Sequence, residues 1–430
     1  LADGSRVNAI VPPLAFFENF AALDASLKNL GPRRLAVMGI ARANREEIDP
    51  NELTENLIAQ WHEESRTLNV LPATIYPRAT QEIPGIITMI EGLIRDGFAY
   101  EVEGDVYYRV RAFADYGKLS HRNLEDLLSG ARIEIDERKS DPLDFALWKA
   151  AKPGEPWWES PWGKGRPGWH IECSAMCSNH LGGVVDIHGG GADLIFPHHE
   201  NEIAQSEAYM HREPFARYWV HNGLLQLGGD KMSKSIGNIV QLKEITGNGL
   251  ATAFRLMVLQ SHYRAPVTFT DESLESASNG LDRLRSAARV RPTSPASQSG
   301  ETIDFVALAA DVDRRFHDAM NDDFDTPTAV AALFDLARSI NRTRSIGQSA
   351  IEIEPGREKL IELAGVLGLM LDEEAITSTD AAPFIELLVE LRQELRAAKQ
   401  GALADRVRDR LIEQGIQIED TPNGTIWRRA

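Results

Sequence analysis

The sequence predicts an α/β protein with an inserted α+β segment, followed by an all-α helical bundle, and three stretches carry that expectation. Val184-Val185-Asp186-Ile187-His188 runs into Gly189-Gly190-Gly191 and then a helix-compatible run, giving the order strand, glycine loop, helix. Phe98 to Val110 alternates in the β manner, with a strand pair joined at Glu103-Gly104. Beyond residue 302, Phe305, Leu308, Val312, Phe316 and Met320 recur at helical spacing.

The remaining elements follow in order. Ile83, Ile86, Ile87, Ile90, Leu93 and Ile94 predict a helix over 81–95. Trp157, Trp158 and Trp162 lie among Pro and Gly, and core packing is their default role. Thr252 to His262 is compatible with a helix, with Tyr263-Arg264-Ala265-Pro266 as its exit, and 292–300 is a polar, proline-punctuated linker. Thr326-Pro327 offers an N-cap and a first-turn proline to the helix carrying Val330, Leu333, Phe334 and Ile340. Leu360 to Leu369 and Phe384 to Ala398 complete the bundle.

At 430 residues the chain is long enough for two or three domains, and 43% hydrophobic with 26% charged residues fits a globular protein. No apolar run reaches membrane-spanning length and no leader opens the chain, so a cytoplasmic protein with no membrane contact is expected. Its two cysteines, Cys173 and Cys177, offer no disulfide framework and fit reduced thiols. A formal charge of −18 argues against nonspecific nucleic-acid binding. Local basic clusters, Arg283, Arg285, Arg289 and Arg291, and the Arg392 to Arg410 region, could still meet phosphates; they read equally well as solvated helix faces.

Two blocks carry chemistry. In Gly229-Asp230-Lys231-Met232-Ser233-Lys234-Ser235, two lysines sit two residues apart in a loop of small residues, suited to holding a polyphosphate as charge accumulates on it. A bare pair of this kind is more often a solvated turn. Upstream, Trp169-His170-Ile171-Glu172-Cys173 precedes Asp193-Leu194-Ile195-Phe196-Pro197-His198-His199-Glu200-Asn201-Glu202. His198 and Glu202, four apart, share a helix face, and Cys173 could add a thiolate; taken alone, the run also reads as an acidic helix start.

Together these strings resemble the cysteinyl-tRNA synthetases, a class I aminoacyl-tRNA synthetase family, from about Ala41 to Trp427. The resemblance implies a Rossmann-like parallel-sheet catalytic domain over 1–225, interrupted by a connective insertion at roughly 98–165. A lysine-loop and stem-contact region over 226–291, a linker over 292–302 and a helical anticodon-binding domain over 303–430 follow. It assigns zinc to Cys173, His198 and Glu202, with the metal taking the substrate thiolate directly. Trp169 and His188 become substrate contacts; Gly189, Gly191 and Asp193 face the adenosine and ribose; Lys234, assisted by Lys231, contacts ATP. The cofactors implied are Zn2+, ATP and Mg2+, and the partners L-cysteine and cysteine tRNA, for a protein expected to be a monomer. A metal suits this task, since a hydrophobic pocket separates near-isosteres such as cysteine and serine by only about 1–3 kcal/mol, whereas ligand softness favours sulfur.

The chain also departs from the pattern. The family's fourth zinc ligand, a cysteine, and its His-Ile-Gly-His signature are missing, and the opening stretch to Gly39 does not match the family's. The abrupt return of resemblance favours truncation or frame disruption over a divergent paralogue, with impaired adenylate formation and at most three protein ligands for zinc. Two other readings stay open: a cysteine-activating ligase acting on a small amine, and a noncatalytic remnant that binds tRNA or zinc.

Overall fold

A computed structural model describes residues 47–124, 137–153, 155–227, 242–247, 249–289, 303–345, 350–371, 382–413, 416–421 and 424–429. The predicted linker over 292–300 and the lysine pair lie outside the described residues.

Helix α1 (Pro50–Thr67) and helix α2 (Ile83–Arg95) precede a four-stranded antiparallel meander, β1 (Ala99–Val102), β2 (Asp105–Tyr108), β3 (Phe145–Ala150) and β4 (Gly165–Pro167). Glu103 and Gly104 make the predicted β1–β2 turn, with φ of 52° and 81°. The predicted stripe on α2 supplies Ile83, Ile86, Ile90 and Leu93 to a core shared with Val106, Tyr108, Leu147, Trp148, Ile171 and Ile203. Trp158 and Trp162 pack against that core. Trp157 departs from the expectation: it is 46% exposed, and the Lys164 ammonium lies 3.8 Å from its ring centroid.

Helix α3 (Trp169–Leu181), strand β5 (Val185–Gly191), helix α4 (Glu200–Met210) and strand β6 (Ala216–Asn222) form the layer that bears the site. Strands β5 and β6 pair in parallel, His188 opposite Trp219 and Gly190 opposite His221. The three glycines are therefore not a loop as the sequence predicted. They continue the strand, because Val220, His221 and Asn222 hold them in register. Strands β7 (Leu225–Leu227) and β8 (Val267–Phe269) make a second parallel pair.

Helices α5 (Leu242–Gly247), α6 (Ala251–Leu259), α7 (Asp271–Ala288), α8 (Phe305–Asn321), α9 (Thr326–Ser345) and α10 (Ala350–Val366) bury one common core that includes Leu256, Leu284, Phe316, Leu333 and Leu360. Packing thus continues across the predicted linker. Arg255 reinforces it: its Nε donates to the Leu367 carbonyl at 2.7 Å, and its Nη1 to the Leu68 and Asn69 carbonyls at 2.9 and 3.3 Å. Part of the basic cluster is built into the packing as well. Arg283 lies over the Phe334 ring, while Arg344 and Arg357 donate to carbonyls of Ser286, Arg289 and Ala288 at the end of α7.

Helix α7 opens with a capping box, in which Ser273 N–H donates to Thr270 Oγ1 at 3.0 Å and Thr270 N–H to Ser273 Oγ at 3.0 Å. Thr270→Ala is expected to cost about 1 kcal/mol, read as a lower urea midpoint at unchanged slope. At the start of α9 the cap is Asp325 in place of the predicted Thr326, its Oδ1 accepting from Thr328 N–H at 3.1 Å.

The turn between α8 and α9 holds Asp323 at φ 53°, where it accepts from Tyr263 Oη at 2.7 Å and Arg264 Nε at 2.6 Å. The Arg264 hydrogen bond, with that of Tyr263, lowers its carboxyl from 3.8 to about 2. A depressed carboxylate pKa stabilises the fold above the unfolded value, and the contribution disappears as pH falls through the folded value. Acid titration of stability between about pH 4 and 2 should therefore flatten in Asp323→Asn, as followed by circular dichroism.

The described residues after Asp372 form a second compact unit. Helices α11 (Ala382–Ala397) and α12 (Gly401–Glu413) are followed by the antiparallel hairpin β9 (Ile416–Thr421) and β10 (Gly424–Arg429). The C-terminal region is thus not helical to its end, because Ile416 and Ile418 point one strand face into a small core with Ile385, Val389 and Leu411. Arg392 is buried here, which removes it from the candidate phosphate contacts.

Candidate metal and substrate site

The site lies where the first turn of α3, the C-terminal half of β5 and the start of α4 meet. Cys173, His198 and Glu202 each bring one donor atom within 4.8 Å of the others. Two segments about 25 residues apart in sequence thus converge as the motifs predicted. His188, His199 and Glu202 form a second such group sharing the same carboxylate.

Glu202 is fully buried, with His198 Nε2 2.5 Å from its Oε1 and His188 Nε2 2.9 Å from its Oε2. Burial opposes its ionisation, but the facing His198 and His188 outweigh burial and hold the carboxyl well below its usual range. Neither oxygen accepts a hydrogen bond of good geometry, so the carboxylate is an orphaned buried acceptor that a cation would satisfy. A thiol, an imidazole and a carboxylate form a donor set that zinc accepts.

An outer ring of imidazoles surrounds this set. His170 Nδ1 lies 2.9 Å from His198 Nδ1, and His199 Nδ1 lies 2.8 Å from His221 Nε2. Burial, with the neighbouring His198, keeps His170 well below the ordinary imidazole value, and burial brings His199 down to about 3. Both are neutral at pH 7. Burial also raises the Cys173 thiol, and the Glu202 charge raises it further.

Of the substrate and nucleotide candidates, Trp169 lies against His198 with ring centroids 4.5 Å apart and the planes tilted by 31°, and His188 packs against Trp219 and His199. Gly189 is exposed at the β5 end. Gly190 is the glycine the site needs: a Cβ there would stand 2.8 Å from His199 Cε1. A Cβ on Gly191 would meet the exposed Asp193 carboxylate at 2.4 Å. Lys231 and Lys234 lie outside the described residues, so their motif carries their assignment.

Residues 38–279, more than half the chain, match the family tRNA synthetases class I (C) catalytic domain, and residues 315–372 match the DALR domain. A cysteine–tRNA ligase of Dehalococcoides mccartyi is 53% identical over 96% of this chain and 86% of its own length. One of Desulfitobacterium hafniense is 45% identical over 96% of this chain and 87% of its own. The chain belongs to the cysteine–tRNA ligase family of class I synthetases. Methionyl-tRNA synthetase of Mycobacterium tuberculosis, with methionyl-adenylate, superposes at a TM-score of 0.54 with 16% identity, over 89% of this chain and 92% of that one, which supports the class I fold. The family match begins at residue 38, near where the sequence resemblance starts, while the alignment with the Dehalococcoides mccartyi relative covers 96% of the chain.

Four residues around the site escaped the sequence reading. His170 and His199 sat inside the quoted motifs, each beside a residue assigned a role. Glu200 looked like helix-start acid but is buried, with its own partners. His221 has no local motif; only the parallel register opposite Gly190 brings it in.

Proposed function

We propose that this protein joins L-cysteine to cysteine tRNA through a cysteinyl-adenylate, as a monomer in the cytoplasm, with ATP and Mg2+. The observation that carries the reading is the convergence of Cys173, His198 and Glu202 around a buried, unsatisfied carboxylate beside Trp169. Those three residues would hold zinc. Bound there, zinc supplies Lewis acidity that keeps a thiol ionised at neutral pH and prefers sulfur to oxygen. Cys173, His198 and Glu202 as three protein donors would leave one position of a tetrahedral zinc for a substrate thiol.

The protein's residues do the rest by placement. Trp169 and His188 would wall the amino acid, its carboxylate directed toward the end of β5. The backbone at exposed Gly189 and half-buried Gly191, with Asp193, would receive the nucleotide, and Lys231 and Lys234 would neutralise the departing pyrophosphate. Attack of the cysteine carboxylate on the α-phosphate then needs alignment more than a general base. A terminal ribose hydroxyl of the tRNA then attacks the activated carbonyl, forming the ester as the acyl–phosphate bond breaks and AMP leaves.

Pyrophosphate exchange into ATP with cysteine or serine, before and after chelation, tests this reading. Exchange with cysteine, little with serine, and loss on chelation is the expected result. Equal exchange with both amino acids, or none with the zinc-loaded protein, would refute it; charging of cysteine tRNA tests the second step.

A further inference from the structure

Helix α4 is gripped on the side away from the site. Glu200, fully buried, accepts from Gly117 N–H at 3.0 Å, Leu119 N–H at 3.4 Å and Ser120 N–H at 2.7 Å. Next to it, Tyr116 Oη donates to Asn201 Oδ1 at 2.5 Å, and Lys118 Nζ lies 2.5 Å from Glu207 Oε2. Tyr108 Oη adds a bond to the Ala204 carbonyl at 2.8 Å. At ~100° per residue, Glu200, Ala204 and Glu207 share one face, and Glu202 points to the opposite one.

The segment that makes these bonds leaves the antiparallel meander just after β2, and its shape is tightly constrained. Gly117 has φ +100°, and a Cβ there would stand 2.0 Å from the Arg122 carbonyl oxygen. Arg122 in turn lies over the Phe196 ring at 4.6 Å, two residues before His198. Both ends of the turn therefore bear on the short stretch that carries two of the three metal donors.

We propose that Glu200 is a positioning residue: by binding three backbone N–H groups of the 117–120 turn, it ties the inserted meander to the back of α4 and fixes where His198 and Glu202 face Cys173. An ionised carboxylate suits the task, because charge-assisted bonds to backbone N–H groups are shorter and stronger than neutral ones. A donor set needs placement to within fractions of an ångström, which a helix start held on only one side does not supply. The amino-acid pocket depends on this grip; the nucleotide end, at Gly189, Gly191 and Asp193, does not touch it. The inference rests on the zinc reading above.

Three variants test it. Glu200→Gln turns an amide NH2 toward backbone donors; Gly117→Ala displaces the turn and leaves Glu200 intact; Tyr116→Phe removes one hydroxyl and serves if the other two do not fold. Zinc affinity by chelator competition, the thiolate-to-cobalt band of the Co2+-substituted protein, and KM for cysteine and for ATP in pyrophosphate exchange are the readouts. Glu200→Gln and Gly117→Ala should weaken zinc binding by about 10–100-fold and shift the cobalt band. Tyr116→Phe should weaken zinc binding by about threefold. KM should rise for cysteine and stay put for ATP. Wild-type zinc affinity and cysteine KM in folded variants that merely melt earlier would overturn the proposal, as would equal rises in both KM values. If the wild-type protein binds no zinc, the metal reading fails, and the KM contrast alone judges the tether.

Discussion

Glu202→Gln should release zinc at least about 100-fold more readily than wild type, since loss of a mere outer-shell partner already costs 10–100-fold. The substitution keeps size and removes the carboxylate charge from the donor set, at a residue with no exposed surface. Zinc content after dialysis against a graded series of chelators measures it, and discrimination of cysteine from serine should collapse in parallel. Unchanged zinc retention would mean that the carboxylate serves only its two histidines. The same chemistry sets a pH dependence. Burial and the Glu202 charge hold the metal-free Cys173 thiol above its ordinary value, so zinc must displace its proton. Zinc affinity should therefore rise with pH, and the rise should be shallower in Cys173→Ala, which has no thiol proton to lose.

Phe316→Ala, in the core of the helical block, should cost about 3–5 kcal/mol. The ring is only 1% exposed, in a core that draws residues from α5 through α10. The cavity would open beneath helices on both sides of the predicted linker, so one cooperative transition should move to lower urea. Val306→Ala, at a position 67% exposed on the same helix, is the control and should stay within about 0.5 kcal/mol. Separate transitions for residues before and after the linker would contradict the shared core.

How much was legible depended on how local the signal was. Helix α2 and the stripe on α8 were readable because a single face repeats at helical spacing. The Cys173, His198 and Glu202 grouping came from motif resemblance; spacing joined only His198 to Glu202, and Cys173 reaches them through the packing of α3 against α4. The glycines after His188 were misread because composition signals permissiveness, while register with Val220 to Asn222 makes them strand. His221 was invisible for the same reason. Glu200 was the hardest, since a helix-start acid in solvent and one buried under three backbone N–H groups are spelled identically. The terminal hairpin was missed because the preceding amphipathic helices invited extrapolation.

The three carbonyls held by Arg255 come from segments far apart in sequence, the turn after α1 and the bend after α10. One planar cation thus acts as a rivet through the molecule. A lysine offers no fork to span those acceptors, so Arg255→Lys would leave the bond from Asn69 Nδ2 to the Gly368 carbonyl, at 3.1 Å, to join the two segments.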